Sequence, residues 1–253
     1  MRVCVVIPTY NECENIQRLI PEIEIVLSNH CLEGDVIVVD DNSPDGTGEV
    51  VEKLAKVYGN VMAINRPAKL GIGSAYRKAF QTILESLDAD VVFEMDADLS
   101  HKPAYIPSLI KKLSEGFDVV VGSRYTQRGG IKSWPVTRRT ISMVANFLAR
   151  TLTGVKVSDM TSGFRAYRVR ALRSIDLNGV KSDGYAFQVE ALYRCVEAGL
   201  KIVEYPIMFK ERSEGKSKLG WEVVLEFVKI LFTIAFSRGR GALKRMLMLH
   251  ENI

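Results

Sequence analysis

Two aspartates two positions apart, Asp96 and Asp98, follow an apolar, β-favouring run that begins at Val91. Carboxylates at this spacing can hold a hard divalent cation through oxygen ligands, with substrate phosphates completing its shell. They can also divide into an acid and a base, or cap a helix that starts near Pro103. Because ligands of open α/β sheets bind beyond the carboxyl ends of strands, the segment predicts a site at this strand end.

Polar side chains also end the first two predicted strands. Tyr10 and Glu12 follow the first strand, and Asp41 follows the second. Tyr10 can stack on a base, and either carboxylate can accept hydrogen bonds from a base or a ribose. The neighbouring Asn11 and Asn42 are common in turns and helix caps, so both clusters can also be purely structural. Carboxylates at three parallel strand ends together suit a nucleotide diphosphate with its metal.

Strands and helices alternate through the first half of the 253-residue chain and must position these side chains. Near-continuous apolar runs predict strands covered on both faces, and spacings of three or four predict the helices. Strands are predicted at 2–7, 36–39, 61–64, 91–93 and 118–122, and helices at 15–27, 47–58, from 69–74 to 87, and 104–113. Right-handed crossovers make this a doubly wound α/β fold, a mostly parallel sheet flanked by helices.

The second half of the chain is less regular. Helices are predicted at 136–153 and 187–198, an edge strand at 202–209, and helical structure after 218. We therefore expect one catalytic domain at 1–218, followed by amphipathic and basic helices at 219–253.

Gly71 and Gly73 do not complete a dinucleotide fingerprint, because Tyr76 stands where the third glycine belongs. The pair also follows the third strand and not the first, which excludes a Rossmann dehydrogenase. Glycines at a helix start can approach a phosphate or ribose closely. An equally good explanation is that they only allow the chain to enter the helix.

Basic residues crowd two later stretches of the chain. Such runs usually form a solvated basic face, but guanidinium groups near a diphosphate can also bind it or an anionic acceptor. The formal net charge of +4 is mild and does not indicate a nucleic-acid partner. The two stretches contain Arg124, Arg128, Lys132, Arg138 and Arg139, and then Arg212, Lys216 and Lys218.

The segment from Trp221 to Ser237 has one narrow polar stripe and is otherwise apolar, and basic residues follow it from Arg238. This pattern fits a helix lying on an anionic membrane or on a membrane partner. It equally fits a helix packed on its own domain. No apolar run reaches the roughly 18 residues of a spanning helix, and no signal peptide is visible. The four cysteines, Cys4, Cys13, Cys31 and Cys195, are predicted to be buried, reduced thiols.

Six motifs, taken in order, resemble family 2 glycosyltransferases, and within that family the branch that acts on polyprenyl phosphates. The resemblance reaches to about Leu219 and implies a GT-A fold, a nucleotide-sugar donor and an inverting transfer. The motifs are Pro8-Thr-Tyr-Asn-Glu12, Val39-Asp-Asp-Asn-Ser-Pro-Asp-Gly-Thr47, Met95-Asp-Ala-Asp-Leu-Ser-His101, Gly122-Ser-Arg-Tyr125, Ser162-Gly-Phe-Arg165 and Gly215-Lys-Ser-Lys-Leu219.

The resemblance also implies residue roles. Asp96, Asp98 and Arg124 are expected to be catalytic, with Asp96, Ala97 and Asp98 around the donor diphosphate and its Mg²⁺ or Mn²⁺. Some members of the family use Gln on the metal where this chain has Ser100, and the shorter serine is expected to coordinate weakly or through water. The nucleoside is expected at Pro8, Tyr10, Glu12, Val39 and Asp41, and phosphate groups at Arg124, Arg138, Arg212 and Lys218.

The reaction implied by the resemblance is transfer of mannose from GDP-mannose to dolichyl or another polyprenyl phosphate, giving a β-linked product. Alternatives are a UDP-glucose-dependent dolichyl-phosphate glucosyltransferase, a family member with a saccharide acceptor, and a non-catalytic scaffold subunit. The expected location is the cytoplasmic face of a membrane. The C-terminal helix would touch the membrane surface or small membrane subunits there.

Overall fold

A computed structural model describes residues 1–210 and 221–250, with the side chains of the last helix described from Val223 to Gly239. Seven strands form the central sheet: β1 (Arg2–Thr9), β2 (Glu33–Asp40), β3 (Val61–Asn65), β4 (Val91–Glu94), β5 (Val119–Ser123), β7 (Arg165–Arg168) and β8 (Ile202–Pro206). They are arranged in the order β3-β2-β1-β4-β7-β5-β8. A second, two-stranded sheet pairs β6 (Gly130–Lys132) with β9 (Met208–Lys210).

Helices cover both faces of the large sheet, so the strands bury side chains on both sides. On β1, for example, Val5 packs into one apolar core and Val6 into the other. One core lies under α1 (Cys13–Asn29), α2 (Thr47–Tyr58) and α4 (Ile106–Ser114). The other lies under α3 (Ile72–Ser86), α5 (Val136–Thr153), α6 (Val169–Ser174), α7 (Ala186–Glu197) and α8 (Trp221–His250).

The predicted α/β fold with a mostly parallel sheet is confirmed, but β7 was not predicted. It runs antiparallel between β4 and β5. This strand could not be predicted from the sequence, because Arg165 and Arg168 interrupt the apolar pattern that is typical of the other strands. Arg165 is nevertheless fully buried, so an apolar pattern alone cannot find this strand.

The predicted edge strand at 202–209 is divided at Ile207. Its first part, β8, is the edge of the large sheet beside β5, and its second part, β9, pairs with β6. The prediction for the cysteines was half wrong. All four are free thiols, but Cys31 is exposed and Cys13 is partly exposed. Burial raises the pKa of Cys4 and of Cys195 to about 12.

The long C-terminal helix α8 contacts α5 and α7. It buries Leu231 and Ile234 in the core, whereas Phe232 and Phe236 are exposed. Among the helices that the structure describes, none is both long and apolar enough to cross a membrane.

Candidate active site

The carboxyl ends of β2, β1 and β4 meet at one edge of the sheet. These strands are parallel neighbours, with Pro8 beside Val39 and Val6 beside Glu94. The loop that carries Tyr10 and Glu12, the Asp40–Asp41 pair and the Asp96–Asp98 loop therefore follow adjacent strands at the same edge. The strand order thus brings together the loops that the sequence predicts to bind a nucleotide diphosphate.

Asp98 is held by a tight turn. Leu99 adopts a left-handed conformation, with φ of 61°, and the Ser100 backbone N–H then donates to Asp98 Oδ1 over 3.1 Å. The Ser100 hydroxyl donates to the same oxygen. Both residues are buried, at 5% and 1% exposure. Ser100 therefore orients the Asp98 carboxylate directly, whereas its predicted weak contact with a metal stays a prediction.

His101 supports the other aspartate of the loop. Its Nδ1 accepts a hydrogen bond from the Asp96 backbone N–H over 3.1 Å and lies 3.6 Å from Asp96 Oδ2. The buried ring stacks on Phe164, with 5.1 Å between centroids, and meets Phe209 edge-on at 5.5 Å. The position of His101 next to the predicted metal loop allowed either helix entry or metal ligation, with helix entry favoured, and the structure has it positioning Asp96.

Gly163 leaves room for Asp96. A Cβ atom built on this glycine would stand 3.0 Å from Asp96 Oδ1. The preceding Ser162 donates its hydroxyl to the Gly122 carbonyl over 2.6 Å, which fixes this segment to the end of β5. The Ser162–Arg165 motif thus contributes to the site through its backbone as well as its side chains.

Asp41 is buried and pinned by a partner that the sequence analysis missed. The Arg66 guanidinium pairs with Asp41 Oδ1. The backbone N–H groups of Leu70 and Gly71 donate to Oδ2 over 3.0 and 3.1 Å. The only signal for Arg66 was its position at the end of the third strand. Its donors hold the Asp41 carboxylate at the edge where the nucleoside is predicted to bind.

Two loops at this edge are tied together by backbone donors. Asn11 N–H donates to Ser43 Oγ over 2.9 Å, and Cys13 N–H donates to Asp45 Oδ2 over 3.1 Å. Burial pushes the pKa of Asp45 up, but hydrogen bonds from Thr47 and from backbone N–H groups outweigh it and lower the pKa. The interlocked loops hold the Tyr10 segment in place.

Lys69 lies over the Tyr10 ring, with its ammonium nitrogen 4.3 Å from the ring centroid. This is within the range of a cation–π contact. Lys69 could not be identified from the sequence, because it belongs to a glycine-containing loop with no recognisable pattern. A positive charge thus lies next to the aromatic ring that is predicted to stack on a base.

Arg124 is buried and ion-paired with Asp159, another residue that the sequence analysis missed. Its Nε and Nη2 donate to the two Asp159 oxygens over 2.7 and 2.6 Å, and Nη2 also donates to Thr161. Burial alone would lower the pKa of Arg124, but Asp159 outweighs burial and raises it. Arg124 therefore stays charged, and its predicted binding of a phosphate group stays a prediction.

An aromatic cluster connects Arg124 to the start of α5. The guanidinium carbon of Arg124 lies 5.5 Å from the Trp134 ring centroid and 5.4 Å from that of Phe209. Arg138 lies over the same Trp134 ring, with its guanidinium carbon 4.3 Å from the centroid. Two of the predicted phosphate-binding arginines thus share one aromatic neighbour. The other two residues, Arg212 and Lys218, lie outside the described residues.

Glu94 lies in the core beneath the aspartate loop. It is fully buried with Arg165, and burial raises its pKa to about 7 although Arg165 lowers it. Tyr167 and Gln188 approach closely enough to lower this pKa as well, but neither makes a hydrogen bond of normal geometry to the carboxyl. Arg165 itself donates to the carbonyls of Gln188 and Met160 over 2.7 and 2.9 Å.

Gly71 and Gly73 have a packing explanation. Gly73 N–H donates to the Asp183 carbonyl over 2.7 Å. A Cβ atom on Gly73 would overlap the Ser182 carbonyl oxygen and approach Phe187 Cβ to 2.8 Å. The glycines therefore let the start of α3 contact the loop before α7, which favours the structural of the two interpretations.

A cavity of about 490 Å³ opens beside Asp98. Its wall is apolar at Leu99 and Pro103 and includes the carboxylate of Glu22, but basic side chains outnumber acidic ones. The basic residues of the wall are Arg18, Lys102 and Lys210. With Asp98 and Glu22 as its acidic side chains, the cavity wall has an excess of one basic residue next to the predicted metal loop.

A divalent cation fits the donors at this edge only if a ligand supplies further oxygens. Among the described residues, no three His, Cys, Asp or Glu side chains form a metal-binding group. Asp96 and Asp98 are two carboxylates in one short loop, and the Asp96 side chain is 27% exposed. Mg²⁺ in particular is commonly bound through one or two carboxylates plus substrate phosphates. The loop therefore suits a cation that is shared with a diphosphate.

Sequence comparison identifies the protein family of this chain. The family described as "Glycosyl transferase family 2" matches residues 4–176, and the chain belongs to this family. An undecaprenyl-phosphate mannosyltransferase from Micrococcus luteus is 41% identical over 228 residues, which are 90% of this chain and 91% of that protein. A polyprenol monophosphomannose synthase from Mycolicibacterium smegmatis is 39% identical over 245 residues, or 96% of this chain and 89% of that protein.

Solved structures confirm the predicted GT-A fold. Mannosyl-3-phosphoglycerate synthase from Rubrobacter xylanophilus superposes with a TM-score of 0.67 at 19% identity, over 96% of this chain and 75% of that chain. Glucosyl-3-phosphoglycerate synthase from Mycobacterium tuberculosis, solved with Mn²⁺, UDP-glucose and phosphoglyceric acid, gives 0.64 at 20% identity, over 92% and 79%. At such low identity these likenesses concern the fold alone.

Proposed function

We propose that this protein transfers mannose from GDP-mannose to the phosphate of a polyprenyl phosphate, with inversion and with Mg²⁺ or Mn²⁺. One observation carries the proposal. Two relatives named for polyprenyl-phosphate mannose transfer are 41% and 39% identical over nearly the whole chain. The carboxylates that are predicted to hold the donor and its cation, Asp41, Asp96 and Asp98, follow adjacent strands at one sheet edge, which supports the proposal.

The nucleoside binds at the ends of β1 and β2. Asp41 is held by Arg66 and two backbone N–H groups, so its carboxylate is oriented before the donor arrives. Tyr10 offers a ring face for the base, and Lys69 lies next to it. A pre-oriented site loses less conformational freedom when it binds its ligand.

The diphosphate binds at the Asp96–Asp98 loop. Asp96 and Asp98 would hold the divalent cation, which when bound neutralises charge developing on the leaving nucleotide. Ser100 and His101 keep the two aspartates in place. Arg124 and Arg138 supply fixed positive charge near the Trp134 cluster, where they can bind a phosphate of the donor or the acceptor.

The acceptor phosphate needs little help to act as the nucleophile. A phosphate monoester has a second pKa of about 6, so its oxygen is already anionic near neutral pH. The site therefore does not require a histidine base. His101, which lies near it, is buried against Phe164 and Phe209. Attack from the face opposite the leaving nucleotide yields a β-linked mannosyl phosphate. A membrane-resident acceptor also supports a peripheral position at a membrane surface.

The test is transfer of radiolabelled sugar into extracted lipid. GDP-mannose is compared with UDP-glucose, dolichyl phosphate with undecaprenyl phosphate, and Mg²⁺ or Mn²⁺ with a chelator. Label from GDP-mannose that requires metal and falls at least about 100-fold in Asp98→Asn supports the proposal. The exposed Asp88→Asn is the matched control.

Each other outcome points to an alternative. Label from UDP-glucose alone identifies a glucosyltransferase. Donor hydrolysis without lipid labelling indicates another acceptor, such as a saccharide. If the protein shows no transfer and binds no donor, the non-catalytic scaffold role is supported.

A further inference from the structure

The segment before α7 connects two parts of the molecule that are far apart in the sequence. Gly73 N–H, in the first turn of α3, donates to the Asp183 carbonyl over 2.7 Å. The same segment contacts α8, where the Glu226 carboxylate accepts the backbone N–H groups of Asp183 and Gly184. Both bonds end on Oε1, over 2.8 and 3.0 Å. Residues 183–184 therefore link the start of α3 to α8.

The segment packs closely against both of these neighbours. A Cβ atom on Gly71 would stand 2.5 Å from the Asp183 carbonyl oxygen. A Cβ atom on Gly184 would overlap Glu226 Oε2. Closely packed groups transmit a displacement, because there is no free space between them to absorb it. A shift of residues 183–184 must therefore move the start of α3 or break its contact with Asp183.

The start of α3 belongs to the predicted nucleoside site. The N–H groups of Leu70 and Gly71 donate to Asp41 Oδ2 over 3.0 and 3.1 Å. Arg66, which pairs with Asp41, also donates to the Gly71 carbonyl over 3.0 Å. Residues 70–73 thus carry donors that orient the Asp41 carboxylate. Hydrogen bonds and close packing connect α8 to Asp41 through these two segments.

We propose that Glu226 is a positioning residue for the nucleotide-sugar donor. By holding residues 183–184 it fixes residues 70–73, and these orient the Asp41 carboxylate before the nucleoside binds. A site that is oriented in advance loses less conformational freedom when it binds its ligand. The inference rests on the proposed function, because Asp41 is expected to contact the nucleoside there. It assigns a part in donor binding to a residue of α8.

Other contacts hold the beginning of the same segment. Glu190 accepts the Ser182 backbone N–H over 3.1 Å. Arg77 donates to the Ser182 carbonyl over 2.6 Å and pairs with the exposed Asp183 carboxylate. Because Glu190 and Glu226 remain as anchors, replacing Arg77 alone should leave the segment in place. Glu226 instead holds the backbone of Asp183, the residue whose carbonyl accepts the bond from α3.

Two substitutions at Glu226 test the acceptor itself. Glu226→Leu removes it, whereas Glu226→Gln keeps it, because both N–H groups bind Oε1 and an amide oxygen can accept two hydrogen bonds. In steady-state kinetics we expect Glu226→Leu to raise the KM for the nucleotide sugar about fivefold with kcat little changed. Glu226→Gln should stay near the wild type. The matched control is Lys229→Leu, which replaces an exposed charged residue of the same helix.

Hydrogen exchange tests the same contacts without any donor. In Glu226→Leu the amides of Gly71 and Gly73 should exchange at least about tenfold faster than in the wild type. Glu226→Gln and Lys229→Leu should leave them unchanged. The amides of α4, on the other face of the sheet, should exchange alike in all four proteins, which separates a local effect from a loss of global stability.

Three outcomes would overturn the proposal. The first is unchanged exchange at Gly71 and Gly73 in Glu226→Leu. The second is a fall in kcat at unchanged KM, which would move the effect from donor binding to the reaction. The third is a Glu226→Gln variant as impaired as Glu226→Leu, since the acceptor would then not be the cause. Absence of transfer by the wild type would contradict the proposed function, and the exchange measurement would still decide the coupling.

Discussion

Gly163 faces the carboxylate of Asp96 so closely that a Cβ atom on the glycine would stand 3.0 Å from Asp96 Oδ1. The backbone of the Ser162–Arg165 motif is thus part of the wall around the predicted metal loop. Contacts of this length are tighter than most real Cβ contacts allow. Any larger residue must therefore displace the carboxylate or the segment that carries residue 163.

Gly163→Ala should lower kcat/KM of the proposed transfer about tenfold or more, because a small displacement of Asp96 misplaces the diphosphate and its cation. The metal concentration for half-maximal activity should rise as well. The measurement is a metal titration of transfer activity. Gly239→Ala is the control, since a Cβ there meets nothing within 4 Å. A variant with wild-type metal dependence would show that Asp96 tolerates the shift.

The Arg124–Asp159 pair should contribute strongly to stability. Both side chains are buried, and removing one partner leaves an uncompensated charge in the core. We expect Asp159→Ala to lower the free energy of unfolding by about 3 kcal/mol, measured by urea denaturation. The Arg170–Asp118 pair offers a comparison, since the Arg170 side chain is 68% exposed although Asp118 is 13% exposed. There Arg170→Ala should lower it by less than about 1 kcal/mol. Equal losses in the two variants would contradict the buried-pair argument.

Glu94 should make stability fall as pH rises. Its carboxyl has a pKa of about 7 in the fold, against 4.5 ordinarily, so between these values the folded state binds more protons than the unfolded state. The free energy of unfolding then decreases across this window, by about 3 kcal/mol in total. Urea denaturation from pH 4 to 8 without added metal should show this slope, and Glu94→Gln should lack it.

The control for Glu94 is Glu85→Gln, which changes an exposed carboxylate on α3. It should keep the wild-type slope. If Glu94→Gln also keeps that slope, another group carries the pH dependence.

Much of the fold and of the site edge could be predicted, because strands buried on both faces have near-continuous apolar runs. Those runs in β1, β2 and β4 also located the polar residues that follow them. β7 could not be found this way, since Arg165 is satisfied by the carbonyls of Gln188 and Met160. Those partners come together only in the folded chain.

The sequence also could not show which residues form ion pairs with the predicted site residues. Arg66 and Asp159 look like ordinary surface charges in the sequence, and their burial depends on Asp41 and Arg124, which are 25 and 35 positions away. Gly73 had two explanations until the Ser182 carbonyl was seen against it. In each case the deciding contact is long-range, and local periodicity carries no information about it.

The Arg66–Asp41 pair yields a prediction that separates donor binding from chemistry. Arg66 contacts Asp41, Ser74 and the Gly71 carbonyl, so Arg66→Met frees the Asp41 carboxylate to move and leaves it buried without its cation. We expect the KM for the nucleotide sugar to rise about tenfold with kcat little changed, because the contact acts on ground-state binding. The free energy of unfolding should fall by about 3 kcal/mol.

The same substitution at Arg77 is the control for Arg66. Arg77 also reaches across to another segment, where it donates to the Ser182 carbonyl and pairs with Asp183, but the Asp183 side chain is 59% exposed. Since exposed pairs contribute little, Arg77→Met should cost less than about 1 kcal/mol of stability and leave the KM unchanged. Steady-state kinetics and urea denaturation on both variants decide the matter. A fall in kcat at unchanged KM in Arg66→Met would mean that Asp41 acts in the transition state and not in holding the nucleoside.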